Sequence, residues 1–240
     1  MAKRNRKNKA KITDIERERY HGPLITDGVS LVYIKLYPWI GLALSGFMYL
    51  VGSYEDNLGI FKGISLFCGV VNILGVIISF IPYLVNAWKA LIYYLIALTV
   101  LSLVIGLDFI GLLMVISDGS PIGAKEIYQS PLTPFYVIFI LLLFIFACGL
   151  YAWYYLPKNQ GKVWAFNQVK GGSRKKTWWN NFAIAFAGAT IIPALLTGYI
   201  QIAFGVLLGI LFTLTLPAVM VDAVYAAIYV KKHPDSDELD

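Results

Sequence analysis

The chain has 240 residues, of which 58% are hydrophobic and 14% are charged, and its mean hydropathy is +0.68. About a quarter of the residues in a soluble domain are charged, so this composition excludes an ordinary soluble protein and predicts an integral membrane protein. The net charge of +6 does not indicate a specific nucleic-acid partner, because most basic residues lie at the ends of apolar segments. Cys68 and Cys148 both lie within apolar runs, so neither a disulfide framework nor a metal site is predicted.

The number of membrane spans follows from the lengths of the apolar segments. A spanning helix needs roughly 20 mostly apolar residues to cross a hydrocarbon core about 30 Å thick. We therefore predict an all-α integral membrane fold, a six-helix transmembrane bundle over residues 31–230, with a basic arm (1–30) before it and a short tail (231–240) after it. The predicted spans are 31–51, 60–81, 91–116, 134–155, 181–196 with its flanks, and 201–230.

The distribution of Lys and Arg predicts the orientation. Eight basic residues precede the first span, Lys89 lies between the second and third spans, six lie between the fourth and fifth, and Lys231 and Lys232 follow the last. The loops on the opposite side carry only Lys62 and Lys125. Because basic loops stay in the cytoplasm, both termini are predicted to be cytoplasmic and the protein to lie in the plasma membrane. No small-residue cleavage site follows the first apolar run, so the first span is predicted to be a retained anchor.

The connection between the fourth and fifth predicted spans combines basic and aromatic side chains. Such a mixture is typical of a segment that lies on the anionic inner leaflet, where each basic residue contributes about 1 kcal/mol. A docking surface for a membrane or cytosolic protein partner would use the same residues. Lipid or partner contact is therefore predicted for Lys158, Lys162, Lys170, Arg174, Lys175, Lys176, Trp178 and Trp179.

Two aspartates lie within predicted spans, where a carboxylate is costly and is a functional candidate by default. At about 1.5 Å per residue, Asp108 lies about 26 Å along the third span, near its outer edge, and Lys62 is its predicted partner there. Asp222 lies about 12 Å inside the inner boundary of the last span, on a stripe of small residues that predicts a helix contact.

Lys35 and Asn72 are predicted to lie in the same inner half of the membrane as Asp222, and the three are predicted to form one polar cluster. Two roles for this cluster stay open: a structural ion pair or hydrogen-bonded latch, and a proton or substrate site. In the last span, Pro217 predicts a bend, and Gly205 and Gly209 predict close helix packing.

These residues do not form a known catalytic motif. The two aspartates differ in depth, so they are not predicted to share a proton as a proteolytic pair, and His21 and His233 both lie outside the spans. We therefore expect a non-enzymatic protein without a cofactor, an accessory, immunity-type or scaffold subunit that acts through helix packing and its basic cytoplasmic face. The alternative is a transporter or permease subunit, for example the membrane subunit of an ATP-driven exporter, with a polar site around Asp222.

Overall fold

The computed structural model describes residues 29–52, 59–117, 124–156, 159 and 199–232. All regular secondary structure in these residues is helical. A short 3-10 helix over Leu31–Lys35 comes first. The α-helices that follow are α1 (Tyr37–Gly52), α2 (Ile60–Ser79), α3 (Pro82–Ala87), α4 (Lys89–Ile116), α5 (Ala124–Gln129), α6 (Leu132–Tyr154) and α7 (Ile200–Lys232).

Four of these helices, α2, α4, α6 and α7, are long and apolar enough to cross a membrane, and α1 is a shorter apolar helix of 16 residues. The prediction of an all-helical membrane protein is confirmed to this extent. The fifth predicted span, 181–196, lies outside the described residues.

Two proline residues explain why α1 and α2 are shorter than the first two predicted spans, 31–51 and 60–81. Pro38 occupies the first turn of α1, a position where its fixed backbone angle favours helix initiation, and the preceding residues form the separate 3-10 helix. Pro82 begins α3 directly after α2 ends at Ser79, because a residue before proline disfavours the helical conformation. By contrast, α7 continues through Pro217.

The central helix of the bundle is α4. Sixteen of its 28 residues are buried, compared with four of the 23 residues in α6. A helix that is apolar on all sides is suited to the interior of a bundle, where neighbouring helices surround it. The exposed side chains of α6 are mainly Leu, Ile, Phe and Val, which suits contact with lipid tails.

Glycine residues allow α7 to approach α4 closely. A Cβ atom added to Gly205 would lie 2.6 Å from the carbonyl oxygen of Gly111, and one added to Gly111 would lie 2.9 Å from the carbonyl oxygen of Gly205. At Gly209, a Cβ atom would lie 3.0 Å from the side chain of Ile140 on α6. The close packing predicted at Gly205 and Gly209 is therefore present, and it places α7 against both α4 and α6.

Two apolar clusters occupy opposite ends of the bundle, and α4 contributes to both. One cluster joins Val29 and the start of α4 to the last third of α7. The other joins the end of α4 to α1, α5 and α6. We call the first the basic end, because Lys35, Lys89, Lys231 and Lys232 lie there, and the second the opposite end, where Lys62 and Lys125 lie.

We expect Gly205→Ala to lower the free energy of unfolding by about 1–3 kcal/mol, because the added methyl group has to push two backbones apart. The measurement is reversible unfolding of the purified protein in one detergent. Gly149→Ala is the matched control, since among the described residues no atom outside the backbone of α6 lies within 4 Å of a Cβ at that position. Equal destabilisation by the two substitutions would contradict the close α4–α7 contact.

Candidate functional site

Asp108 lies on α4 and only 8% of its surface is exposed. Its two carboxylate oxygens accept hydrogen bonds from the hydroxyl of Thr213 on α7, at 3.1 and 3.0 Å. The structure does not bring together the predicted pair of Asp108 and Lys62. The Lys62 ammonium lies instead 5.1 Å from the centre of the Tyr49 ring on α1, because Lys62 faces α1 while Asp108 faces α7.

Asp108 also lines a cleft of about 360 Å³ between α1, α2, α4 and α6. The surface of this cleft is almost entirely apolar, because the polar atoms of Asp108 and Tyr136 point toward α7, which does not line it. Volumes of about 300–1,000 Å³ are typical of sites for small molecules. The remaining lining residues are Met48, Phe61, Ile64, Leu101, Val104, Ile105, Phe109, Leu112, Val137, Ile140, Leu141 and Phe144.

Asp222 lies on α7 and is 3% exposed. One of its carboxylate oxygens accepts a hydrogen bond from the backbone N–H of Val29 at 2.6 Å. Val29 is buried in the apolar cluster of the basic end, and the next residue, Ser30, caps the 3-10 helix with its hydroxyl. A carboxylate on α7 therefore holds the backbone at the first residue that the structure describes.

The predicted cluster of Lys35, Asn72 and Asp222 is not formed. Lys35 is exposed at the end of the 3-10 helix, and no ion pair joins it to Asp222 in the part of the chain that the structure describes. Asn72 belongs to a separate polar group between three other helices. Of the two roles left open by the sequence, the geometry at Asp222 matches a hydrogen-bonded latch, with a backbone N–H in place of the lysine.

Asn72 is completely buried on α2 and connects it to α1 and α4. Its side-chain nitrogen has two hydrogens and donates to the hydroxyl of Ser102 on α4 at 2.6 Å and to the carbonyl of Cys68 at 2.8 Å, and it lies 3.4 Å from the hydroxyl of Ser45 on α1. Its side-chain oxygen faces the Cα of Gly41 and accepts no hydrogen bond from a described residue. The amide thus ties three helices together at one level.

These three polar groups act as links between elements that are distant in the sequence. Water is absent from the bilayer core, so each buried polar atom needs a partner within the protein. Hydrogen bonds between transmembrane helices contribute about 0.6 kcal/mol on average and at most about 1.7 kcal/mol. Within the described ranges, neither buried carboxylate has a cationic partner. Asp108 also lies beside the cleft, but its carboxylate is bonded to Thr213 on α7, which does not line the cleft.

Two further questions concern the predicted lipid or partner contacts and the binding of a metal ion. The predicted lipid or partner contacts from Lys158 to Trp179 lie outside the described residues. No group of three or more His, Cys, Asp or Glu side chains in the described segments is arranged to hold a metal ion.

Sequence reasoning missed Thr213, Val29, Ser45 and Ser102, the partners of the three polar links. Single hydroxyl residues in apolar spans carry no distinctive signal, and a backbone N–H carries none. Their importance follows only from the helix packing.

No protein-family model, curated protein or solved structure matches this chain. The functional proposals below therefore depend on the geometry of the chain itself.

Proposed function

We propose that this protein is a non-enzymatic accessory, immunity-type or scaffold subunit of a membrane assembly in the plasma membrane. In this proposal the helical bundle holds a basic cytoplasmic face against the anionic inner leaflet and against a protein partner. The hydrogen bond between Asp222 and Val29 is the observation that most directly supports it.

That hydrogen bond fixes the base of the N-terminal arm. The 28 residues before Val29 contain eight of the 20 basic residues of the chain. Val29 itself is 5% exposed, and its N–H is held by a carboxylate that is also buried. Because burying a carboxylate is costly, its use in positioning the start of the bundle favours a protein whose arm has to be held in one place.

The positive charge at the basic end supports a role for this face in contact with the anionic membrane surface. Lys35, Lys89, Lys231 and Lys232 lie there together with the base of the arm. Each basic residue near an anionic leaflet contributes about 1 kcal/mol to membrane attraction. We assign this end to the cytoplasm because basic segments are retained on that side.

We also propose six spans with both termini in the cytoplasm. The hydroxyl of Tyr225 donates to the carbonyl of Ala152 at 3.0 Å, so α6 ends beside the last part of α7, at the basic end. Because Gly205 packs on Gly111, α7 begins at the opposite end. A crossing by the predicted span 181–196 accounts for this change of end between α6 and α7.

This topology predicts the labelling pattern of single cysteines in intact cells, with Cys68 and Cys148 first replaced by Ala. A membrane-impermeant maleimide added outside should label Tyr199→Cys and Lys125→Cys. It should label Lys232→Cys only after the membrane is permeabilised. Labelling of Lys232→Cys in intact cells would contradict the orientation, and protection of Tyr199→Cys would contradict the additional crossing.

The second candidate function is transport by a permease or exporter subunit, and the cleft beside Asp108 is the observation that favours it. The sequence predicted the transport site around Asp222, where the carboxylate instead holds the backbone N–H of Val29 beside the apolar cluster of the basic end. A transport function would therefore use Asp108.

Two substitutions at one position test the scaffold proposal. Asp222→Asn keeps an acceptor oxygen for the N–H of Val29, whereas Asp222→Leu removes it and replaces the two oxygens by larger methyl groups. We expect the complex formed in native membranes to survive Asp222→Asn and to be weakened about tenfold by Asp222→Leu, the loss expected for one buried hydrogen bond. The measurement is native gel electrophoresis of the tagged full chain after mild solubilisation.

Thr215→Val is the matched control on α7, because the hydrogen bond of its hydroxyl within the described part of the chain goes to the carbonyl of Leu211 in the same helix. Amounts in the membrane and elution profiles should be compared for all variants. The proposal fails if the wild-type chain migrates alone. It also fails if the purified chain in liposomes moves a solute by itself and Asp108→Asn abolishes that flux.

A further inference from the structure

We propose that a second cleft, at the basic end of the bundle, binds the phosphate group of an anionic phospholipid. This cleft has a volume of about 380 Å³ and lies between the 3-10 helix and the segment in which α2 ends and α3 begins. We call it the Lys35 cleft. The inference rests on the proposed function in one respect, the assignment of the basic end to the anionic inner leaflet.

The charge of the ligand follows from Lys35. Among the described residues that line the cleft, Lys35 is the only charged one, and part of the surface of the cleft is polar. The ammonium group is exposed and forms neither a hydrogen bond nor an ion pair with another described residue. An ammonium group has three donors and pairs readily with phosphate oxygens. Because no carboxylate lines the described wall, a lipid with a net negative charge is favoured over a zwitterionic lipid, whose own cation would lack a partner.

Two neutral side chains add hydrogen-bond donors to the Lys35 cleft. The hydroxyl of Ser30 accepts a hydrogen bond from the backbone N–H of Val32 at 3.1 Å, so its own hydrogen can still be donated. The amide of Asn86 is exposed and has no hydrogen bond to another described residue. By contrast, the hydroxyl of Ser79 already donates to the carbonyl of Val76 at 2.7 Å. A phosphate group, which has several acceptor oxygens, can therefore use the ammonium, the Ser30 hydroxyl and the amide together.

Aromatic side chains around the cleft indicate the headgroup level of a bilayer. Tyr83 in α3 and Trp88 directly after α3 are both exposed. Trp39 in the first turn of α1 is also exposed, and its ring lies edge-on to that of Phe80, directly after α2. Trp and Tyr collect at the interface between membrane and water, where the headgroups of phospholipids lie. The cleft is thus at the depth at which a lipid phosphate is available.

The apolar part of the wall favours a lipid over a soluble phosphate compound. Apart from the polar side chains, the wall of the cleft is apolar, and Val32 in this wall is exposed. Leu36, directly after Lys35, is exposed as well. Contact with the glycerol and the upper acyl chain of a lipid would cover these side chains. Basic pockets between helices on the cytoplasmic side are typical sites for acidic lipid headgroups.

The test is native mass spectrometry of the purified full chain in detergent, titrated with phosphatidylglycerol or with phosphatidylcholine of the same acyl chains. We expect the wild type to bind phosphatidylglycerol about fivefold more tightly than phosphatidylcholine, and Lys35→Gln to lose this advantage, since one basic residue contributes about this factor. Lys35→Arg keeps the charge and should keep the affinity. The matched control is Lys232→Gln, which removes an exposed charge from the same end outside the cleft and should bind like the wild type.

Two further comparisons separate this inference from its alternatives. Asn86→Trp fills the cleft from an exposed position while Lys35 is retained, and it should also weaken binding of phosphatidylglycerol. An excess of glycerol phosphate should not displace the lipid, whereas it would do so at a site for soluble phosphate compounds.

The inference is overturned if Lys35→Gln and Lys232→Gln lose equal affinity, if Asn86→Trp binds like the wild type, or if glycerol phosphate displaces the lipid. It is also overturned if Lys35→Gln binds phosphatidylglycerol like the wild type, the result expected if residues 1–28 occupied the cleft. Because the assay uses the isolated chain, lipid binding can fail while the complex of native membranes persists, and the complex can be absent while lipid binding persists.

Discussion

The contact between α4 and α7 at Gly111 and Gly205 determines the arrangement of most other groups in the bundle. Because neither glycine has a side chain, each backbone approaches a carbonyl oxygen of the other helix. This contact fixes the register of α7 along α4. Two turns after Gly205, Thr213 reaches Asp108, and further along the same helix Asp222 reaches Val29. The register set by this contact thus determines which groups form hydrogen bonds to the two buried carboxylates.

The two carboxylates differ in their surroundings, although both are buried and both receive hydrogen bonds from neutral donors. Asp222 holds a backbone N–H at the start of the bundle, in an environment packed with apolar side chains. Asp108 holds a hydroxyl but also borders a cleft with aromatic walls. Burying a polar group is unfavourable unless it is hydrogen-bonded, and each of the two carboxylates has a donor within the chain. In this structure both carboxylates connect elements that are distant in the sequence.

The sequence predicted the long helices well because the length of an apolar run can be counted along the chain without knowledge of the packing. Apolar runs of sufficient length correspond closely to α2, α4, α6 and α7, and the glycine spacing indicated the face of α7 that packs closely. Partners were not predictable in the same way. Depth in the membrane can be counted along the chain, but the direction in which a side chain points around its helix depends on neighbours. Lys62 and Asp108 were assigned similar depths, yet they face different helices. The true partners are separated by 105 and 193 residues, and one of them is a backbone group.

The central claim is that Asp108 is held by Thr213 and not by Lys62, and two double-mutant cycles measure this directly. Asp108→Leu is combined with Thr213→Val in one cycle and with Lys62→Met in the other, and unfolding free energies are determined in mixed micelles. The structure predicts a coupling energy of about 1 kcal/mol with Thr213 and almost none with Lys62. Strong coupling to Lys62 together with none to Thr213 would contradict the packing of α7 on α4 described above.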